Sequence, residues 1–284
     1  MLSKILLATA KRYTRSFPKS RGRLWLARHL LPCVRASKDP LARTQTIHQS
    51  SFPIRYSYSA RSVVGVWLEL FGAWEEPNLV SMVEFLKALP PAERTLLDIG
   101  ANYGLYSLTA ACHIPRLTAY AFECDPQVCR YLEKNVALNR ETLNRMGSDV
   151  KVIRMAVSDH SGAATFWKSN DDGDGSLLQA SNESQRTDEI RVECIDGRGI
   201  ADLLGKRTVD FAKIDVQGAE LTVVSTLGAI LEARRLRRLQ IELTRGCEPV
   251  IERLQRAGYG LVAGSLASLE REPWSDFVFD PATP

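Results

Sequence analysis

Cysteine and histidine are scarce in these 284 residues: six Cys, no two of them spaced C-x-x-C, and four His in unrelated contexts. That excludes a disulfide-built scaffold and leaves a structural zinc site without a ligand set, so no metal is expected and reduced thiols fit a cytoplasmic setting. Long apolar runs are missing as well. The opening MLSKILLATAKR falls short of a secretory h-region and far short of the roughly 20 residues needed to cross a bilayer. No internal repeat is present, and 18 Gly and 13 Pro do not support a collagen-like or low-complexity chain. What is there is ordinary globular composition, 45% hydrophobic and 25% charged. A domain of this length buries about three quarters of the surface its unfolded chain exposes.

The formal charge of +4 averages two unlike parts. Residues 1–45 carry 11 Lys and Arg against the single acid Asp39, a net of +10, which leaves the remainder at −6. Leu24, Leu26, Leu30 and Leu31 trace a helical face there, with Arg21, Arg23 and Arg28 toward water. Two readings stand for this arm: packing on the body or on a neighbouring subunit, as in a homodimer, or peripheral contact with anionic membrane. Residues 34–59 lack periodicity and read as a linker. The expected division is therefore a basic arm and linker over 1–59 and a single domain over 60–284.

From Pro77 to Leu89 the pattern is helical and is stopped by Pro90 and Pro91. The body then alternates in units of about 30 residues. TLLDIG (95–100), LTAYAFE (117–123), KVIRMAVS (151–158), VDFAKIDV (209–216) and RLQIELT (238–244) read as strands. The segments PQVCRYLEKNVALN (126–139), AELTVVSTLGAILEA (219–233) and PVIERLQRAG (249–258) read as helices. Apolar strands without clean alternation require a parallel sheet covered on both faces. YGLVAGS and SDFVFD read as an antiparallel pair at the edge. The polar stretch between AATFW and RVECID (163–167 and 191–196) suits either a hairpin arm or a mobile loop.

In such a sheet the ligand lies beyond the carboxyl ends of the strands. Asp98, Glu123, Asp215 and Glu242 stand at four of those ends. Gly100 and Gly104 allow a tight turn after the first strand, but Asn102 breaks the G-x-G-x-x-G pattern, and no P-loop Lys is present. An acid just before the glycines would repel a pyrophosphate and attract the cationic methionine end of S-adenosyl-L-methionine. Glu123 lies 23 residues beyond Gly100, near the spacing at which an acid meets a ribose hydroxyl.

LLDIGANYGLYSLTAA, AFECDP, AVSDHSG, FAKIDVQGAE and QIELT together resemble the FkbM-type methyltransferases over about residues 60–280, with Lys213 to Glu220 the most specific run. The resemblance implies a Rossmann-like class I methyltransferase fold with a seven-stranded, mostly parallel sheet. It implies S-adenosyl-L-methionine as cofactor and a carbohydrate or natural-product hydroxyl as acceptor. It places Asp98, Gly100, Asn102 and Gly104 at the methionine end, Glu123 at the ribose, and Ala156 with Val157 around adenine. Asp159 either caps its turn or approaches adenine.

An alcohol is a poor nucleophile while protonated, so a base is needed, and Asp215 and Glu242 are the candidates. Lys213 orients the acceptor, keeps its carboxylate partner ionised, or forms an internal ion pair, as Glu220 also can. Gln217 and Glu220 fall in the same turn and are counted with the acceptor side. Glu75 and Glu76 beside Trp74 offer a second acceptor region, although aromatics at this spacing also fill seams. Three alternatives to O-methylation remain: N-methylation of a small amine or peptide, nucleic-acid modification, and a non-catalytic interaction protein. A nucleic-acid partner is disfavoured by the acidic body.

Overall fold

The computed structural model describes residues 43–49, 52–59, 62–169, 175–178 and 186–282. The basic arm over 1–42 lies outside the described residues. Strands β1 (Arg43–Gln49) and β2 (Phe52–Tyr58) pair antiparallel. Part of the expected linker is thus a hairpin, and Ile54, Tyr56 and Tyr58 of β2 are buried in the core. Its apolar residues alternate at 52, 54, 56 and 58, with Pro53 and Arg55 exposed between them, a strand signal of seven residues that the linker reading passes over.

Helix α1 (Val63–Phe71) is capped by Ser62, whose hydroxyl accepts from Gly65 N–H, and it ends at left-handed Gly72. Helix α2 (Glu76–Ala88) has Pro77 in its first turn. The body continues as β3 (Arg94–Ile99), α3 (Leu105–His113), β4 (Leu117–Phe122), α4 (Pro126–Leu138), α5 (Arg140–Met146) and β5 (Asp149–Ile153). Asp125 caps α4 by accepting from Gln127 and Val128 N–H. The predicted strand over 151–158 is in fact two. After β5 the chain turns at Arg154 and Met155, where Met155 N–H bonds the Ile153 carbonyl, and β6 (Ala156–Val157) leaves for a second sheet.

That second sheet joins β6 to β8 (Arg186–Ile195), which also pairs antiparallel with β7 (Gly162–Ser169). The described flanks of the polar excursion thus pair as the two strands of a hairpin arm, and its residues 170–174 and 179–185 lie outside the described residues. The remaining elements are α6 (Gly197–Leu204), β9 (Phe211–Ile214), α7 (Glu220–Thr226), α8 (Gly228–Glu232), β10 (Leu239–Thr244), α9 (Glu248–Arg256), β11 (Tyr259–Ala263), α10 (Ser268–Arg271) and β12 (Trp274–Pro281). The single helix expected over 219–233 divides at Leu227 and Gly228.

The main sheet has the order β11-β12-β10-β9-β3-β4-β5. Its strands are parallel except β12, which runs antiparallel between β10 and β11. This is the mostly parallel, seven-stranded sheet with an antiparallel pair at its end that the sequence predicts. One core, from β2, α2, α3 and α4, covers one face. A second, from α6, α7, α8, α9 and the Phe277/Phe279 side of β12, covers the other. Strand order reverses between β3 and β9, so the crevice for a ligand opens above those two strands.

Candidate active site

The β3–α3 turn is built against the β9–α7 turn. Gly100 has φ +78, and a Cβ there would stand 1.8 Å from the Asp215 carbonyl oxygen. Only glycine lets the two turns close to this distance. Asp215 N–H in turn bonds the Ile99 carbonyl at 3.0 Å, while Gly100 and Ala101 N–H both reach the Phe122 carbonyl of β4. Three non-glycine residues at the crevice also hold positive φ: Glu75 (49°), Asn102 (51°) and Gln217 (53°). Left-handed backbone is costly for such residues and gathers at functional sites.

Below the reversal point lies a cavity walled by Phe122, Glu123, Ala156, Val157, Phe166 and Leu177, with Gly100, Asp215 and Gln217 also at its lining. Glu123 is one of three acids at this lining, with Asp125 and Asp215. Its carboxylate accepts from Asn102 N–H at 3.0 Å and from Asp125 N–H at 2.8 Å. Burial nevertheless pushes its pKa up to about 7. The cavity is partly open to solvent, with about 60 Å³ of room for the centres of water-sized molecules. Leu177 belongs to a short segment that folds back on β7 through reciprocal Ser176–Trp167 backbone bonds.

Asp98 does not line this cavity. It is 2% exposed and turns toward α3, accepting from both the Ser107 N–H (3.0 Å) and the Ser107 hydroxyl (2.7 Å). Burial raises its pKa to about 6. Asp98, expected at the methionine end, anchors the first turn of α3 here. Asp159 is likewise away from the cavity: it is exposed and pairs with His160 at 2.9 Å, which with Ser158 holds its carboxyl low. Glu220 is buried and accepts from Gly218 N–H at 3.0 Å, shaping its own turn. Gly104, at φ +85, caps α3 and packs on Leu132.

The carboxyl ends of β9 and β10, together with the amino end of the antiparallel β12, carry the charged centre. Lys213, with 3% side-chain exposure, places Nζ 2.9 Å from Asp276 Oδ1, 3.8 Å from Glu75 Oε2 and 4.0 Å from Asp215 Oδ2. Burial pulls the ammonium pKa down, and Tyr106 with the carboxylates of Glu75, Asp215 and Asp276 more than offsets it. Gln217 Nε2 donates to Asp215 Oδ1 (2.7 Å) and approaches Glu242 Oε1 (3.3 Å). Three carboxylates thus lie within 4.0 Å of one ammonium, and Glu242 joins them through Gln217. Desolvation, with Glu75 and Asp276 adding to it against Lys213, pushes Asp215 up to about 7, and desolvation with the Asp215 carboxylate pushes Glu242 up to about 9. Among the described residues no group of His, Cys, Asp and Glu is arranged to hold a metal ion.

Several members of this centre escape a sequence reading. Asp276 is fixed by Asn78 Nδ2 (2.7 Å) and Gln240 Nε2 (2.9 Å) as well as Lys213. Tyr106 donates to Glu75 Oε2 and accepts from Gln240. The only signal for Asp276 is an acid inside the apolar run DFVF. Trp74 packs edge-on against Trp67 with centroids 5.6 Å apart, filling the seam beside α1. Glu76 sits in the first turn of α2, outside the Lys213 cluster.

A sheet of this order, a glycine turn after its first strand and an acid at the end of its second define the Rossmann-like class I methyltransferase fold. Residues 98–261 match the model of the methyltransferase FkbM domain, and the chain belongs to that family. A curated relative is the 2-O-methyltransferase NoeI of Sinorhizobium fredii (strain NBRC 101917 / NGR234), 27% identical over 155 residues, which are 50% of this chain and 60% of that protein. The AMB antimetabolite synthetase AmbE of Pseudomonas aeruginosa is 29% identical over 52% of this chain and 8% of its own length. The chain therefore spans well under two thirds of either relative. Among solved structures, the FkbM methyltransferase of Methylobacillus flagellatus KT is 13% identical with a TM-score of 0.43, covering 76% of this chain and 52% of that one. The N-terminal domain of human METTL16 is 15% identical with a TM-score of 0.46, covering 83% and 78%.

Proposed function

We propose that the protein is an S-adenosyl-L-methionine-dependent O-methyltransferase acting on a hydroxyl of a carbohydrate or natural-product small molecule. The observation that carries this reading is the meeting of Asp215 with two sites at once. Its backbone abuts the Gly100 turn beside the Glu123 cavity, and its carboxylate belongs to the Lys213 cluster at the sheet edge. The relative NoeI, by its name a 2-O-methyltransferase, supports the same choice of atom.

The chemistry of the cavity fits the cofactor. Glu123 suits a ribose diol, and the apolar walls of Phe122, Ala156, Val157 and Phe166 suit a purine. The excess of carboxylates around Lys213 favours a cation and disfavours a pyrophosphate. When bound, the cofactor supplies an activated methyl group on a sulfonium, so no covalent enzyme intermediate is needed. Asp215 would take the acceptor's hydroxyl proton as that oxygen attacks the methyl group the cofactor would supply. Lys213 and Gln217 hold that carboxylate in place, and Glu242 is the reserve acid across Gln217. A base poised near neutrality favours an alcohol acceptor over an amine, which needs less help.

Calorimetry on the cofactor-free protein tests the assignment. S-adenosylhomocysteine is expected to bind and NAD is not; tighter binding of NAD would overturn the reading. A screen of saccharides and polyketide-like alcohols with labelled S-adenosyl-L-methionine then seeks the acceptor, with label expected on oxygen.

A further inference from the structure

Trp274 stands out on the surface. It is 42% exposed, although tryptophan is costly to leave in water, and it is the first residue of β12. In the register of β10 with β12, Trp274 faces Thr244 and Asp276 faces Glu242. Cross-strand partners share a face and side chains alternate along a strand, so Trp274, Asp276 and Glu242 lie on one face. Further along β12, that face is covered by α2, through Asn78 on Asp276 and Phe85 under Arg238. Trp274 continues the same face one step past Asp276, at the carboxyl edge.

The chain segments beyond the Thr244–Trp274 pair wall a groove of about 480 Å³ that includes Arg245, Glu248, Leu266 and Glu270. Arg245 ties its two sides together, donating from Nε to the Leu269 carbonyl at 2.8 Å. Leu266 is 47% exposed. An aromatic face, carboxylate oxygens on the same side, and a groove with both acids and a base next to it form a surface with one apolar plane and many hydrogen-bond acceptors. A pyranose ring has the matching character: a C–H face that lies against an aromatic ring and hydroxyls that donate to carboxylates.

We infer that Trp274 is the platform for a sugar ring of the acceptor, presenting a ring hydroxyl toward Asp215, with the Arg245–Glu270 groove taking the adjoining residue of a longer glycan. This rests on the O-methyltransferase reading and narrows it to a saccharide acceptor. Trp274 contributes to binding and orientation and takes no part in proton transfer.

The test uses the full chain, Trp274→Ala and Trp274→Phe, each checked for S-adenosylhomocysteine affinity by calorimetry. Saturation-transfer NMR then measures binding of a fixed panel: the methyl glycosides of glucose, N-acetylglucosamine, mannose, fucose and rhamnose, and disaccharides of each. At least one member is expected to bind wild type through its ring C–H protons, at least tenfold more weakly to Trp274→Ala and within threefold to Trp274→Phe, with the homocysteine product bound equally by all three. Unchanged saccharide binding by Trp274→Ala, or no panel member binding to wild type, overturns the platform. If wild type does not bind S-adenosylhomocysteine, the methyltransferase reading fails instead, whatever the saccharide result.

Discussion

Asp215 and Glu123 show how burial decides what a carboxylate can do. Both are pushed up to about 7, Asp215 by desolvation against the help of Lys213 and Glu123 by desolvation against backbone donors. A base acts only when ionised, so single-turnover methyl transfer by wild type is expected to rise with pH through about 7 and then level. Asp215→Asn keeps the shape and the bond from Gln217 but cannot take a proton. It is expected to bind S-adenosylhomocysteine within roughly threefold of wild type, below about 0.7 kcal/mol, while transfer falls at least about 100-fold and the acidic limb disappears. An intact limb in the mutant would remove the base role. For Glu123, the ionised form is the better acceptor for ribose hydroxyls. Affinity for S-adenosylhomocysteine should therefore weaken as pH falls from 8 to 6, and Glu123→Gln should flatten that dependence at a cost of about 1.5 to 3 kcal/mol. A wild-type affinity independent of pH would show that Glu123 does not meet the ribose.

At the scale of elements, the site depends on two close approaches. The Gly100 turn leaves no room for a methyl group against the Asp215 carbonyl, so Gly100→Ala must both strain a positive φ and push β3 from β9. A loss of more than about 3 kcal/mol is expected in denaturant unfolding; a loss under 1 kcal/mol would mean the turns slide apart freely. The other is the β1–β2 hairpin on α4. Buried Asn135 accepts from Ser57 N–H at 2.6 Å and donates to the carbonyls of Ser57 and Tyr103, both at 2.9 Å. It binds the hairpin to the loop that carries Asn102. Asn135→Ala would strand these backbone groups and is expected to cost about 3 kcal/mol. Wild-type stability in that mutant would show that the hairpin adds little to the domain.

Across the whole molecule, the site is a concentration of buried acid that opposes folding. Asp98, Glu123, Asp215 and Glu242 all have pKa values raised by desolvation in the folded protein. A carboxyl with a raised folded pKa favours the native state most when protonated, so its contribution is lost as pH climbs through the folded value. The cofactor-free protein should therefore melt at a higher temperature at pH 6 than at pH 8.5. Glu242→Gln removes the acid pushed furthest and should raise Tm at pH 8.5 by roughly 2–4 °C for each kcal/mol regained. A lower Tm for Glu242→Gln at that pH would show that the cluster stabilises the fold.

The fold was legible because its signals are local. Apolar strands without alternation, proline in the first turns of α2, α4 and α9, and glycine after β3 all announce themselves within a few residues, and family-specific runs such as KIDVQGAE reinforce them. Of the β1–β2 hairpin, only the seven-residue alternation of β2 marks a strand, and the ribbon takes its stability from the core it covers. At the site, sequence placed Asp98, Glu123, Asp215 and Glu242 at strand ends, because position in a strand fixes which edge a side chain reaches, and it put Lys213 in the same run as Asp215. It could not tell that Asp98 turns inward to Ser107, or that Asp276, Tyr106, Asn78 and Gln240 converge on Lys213 from four other elements. Those partners lie between 27 and 135 residues away from Lys213 in the chain. Only the packing of α2 and α3 on one face, with an antiparallel β12 beside β10, brings their charges within reach of one another.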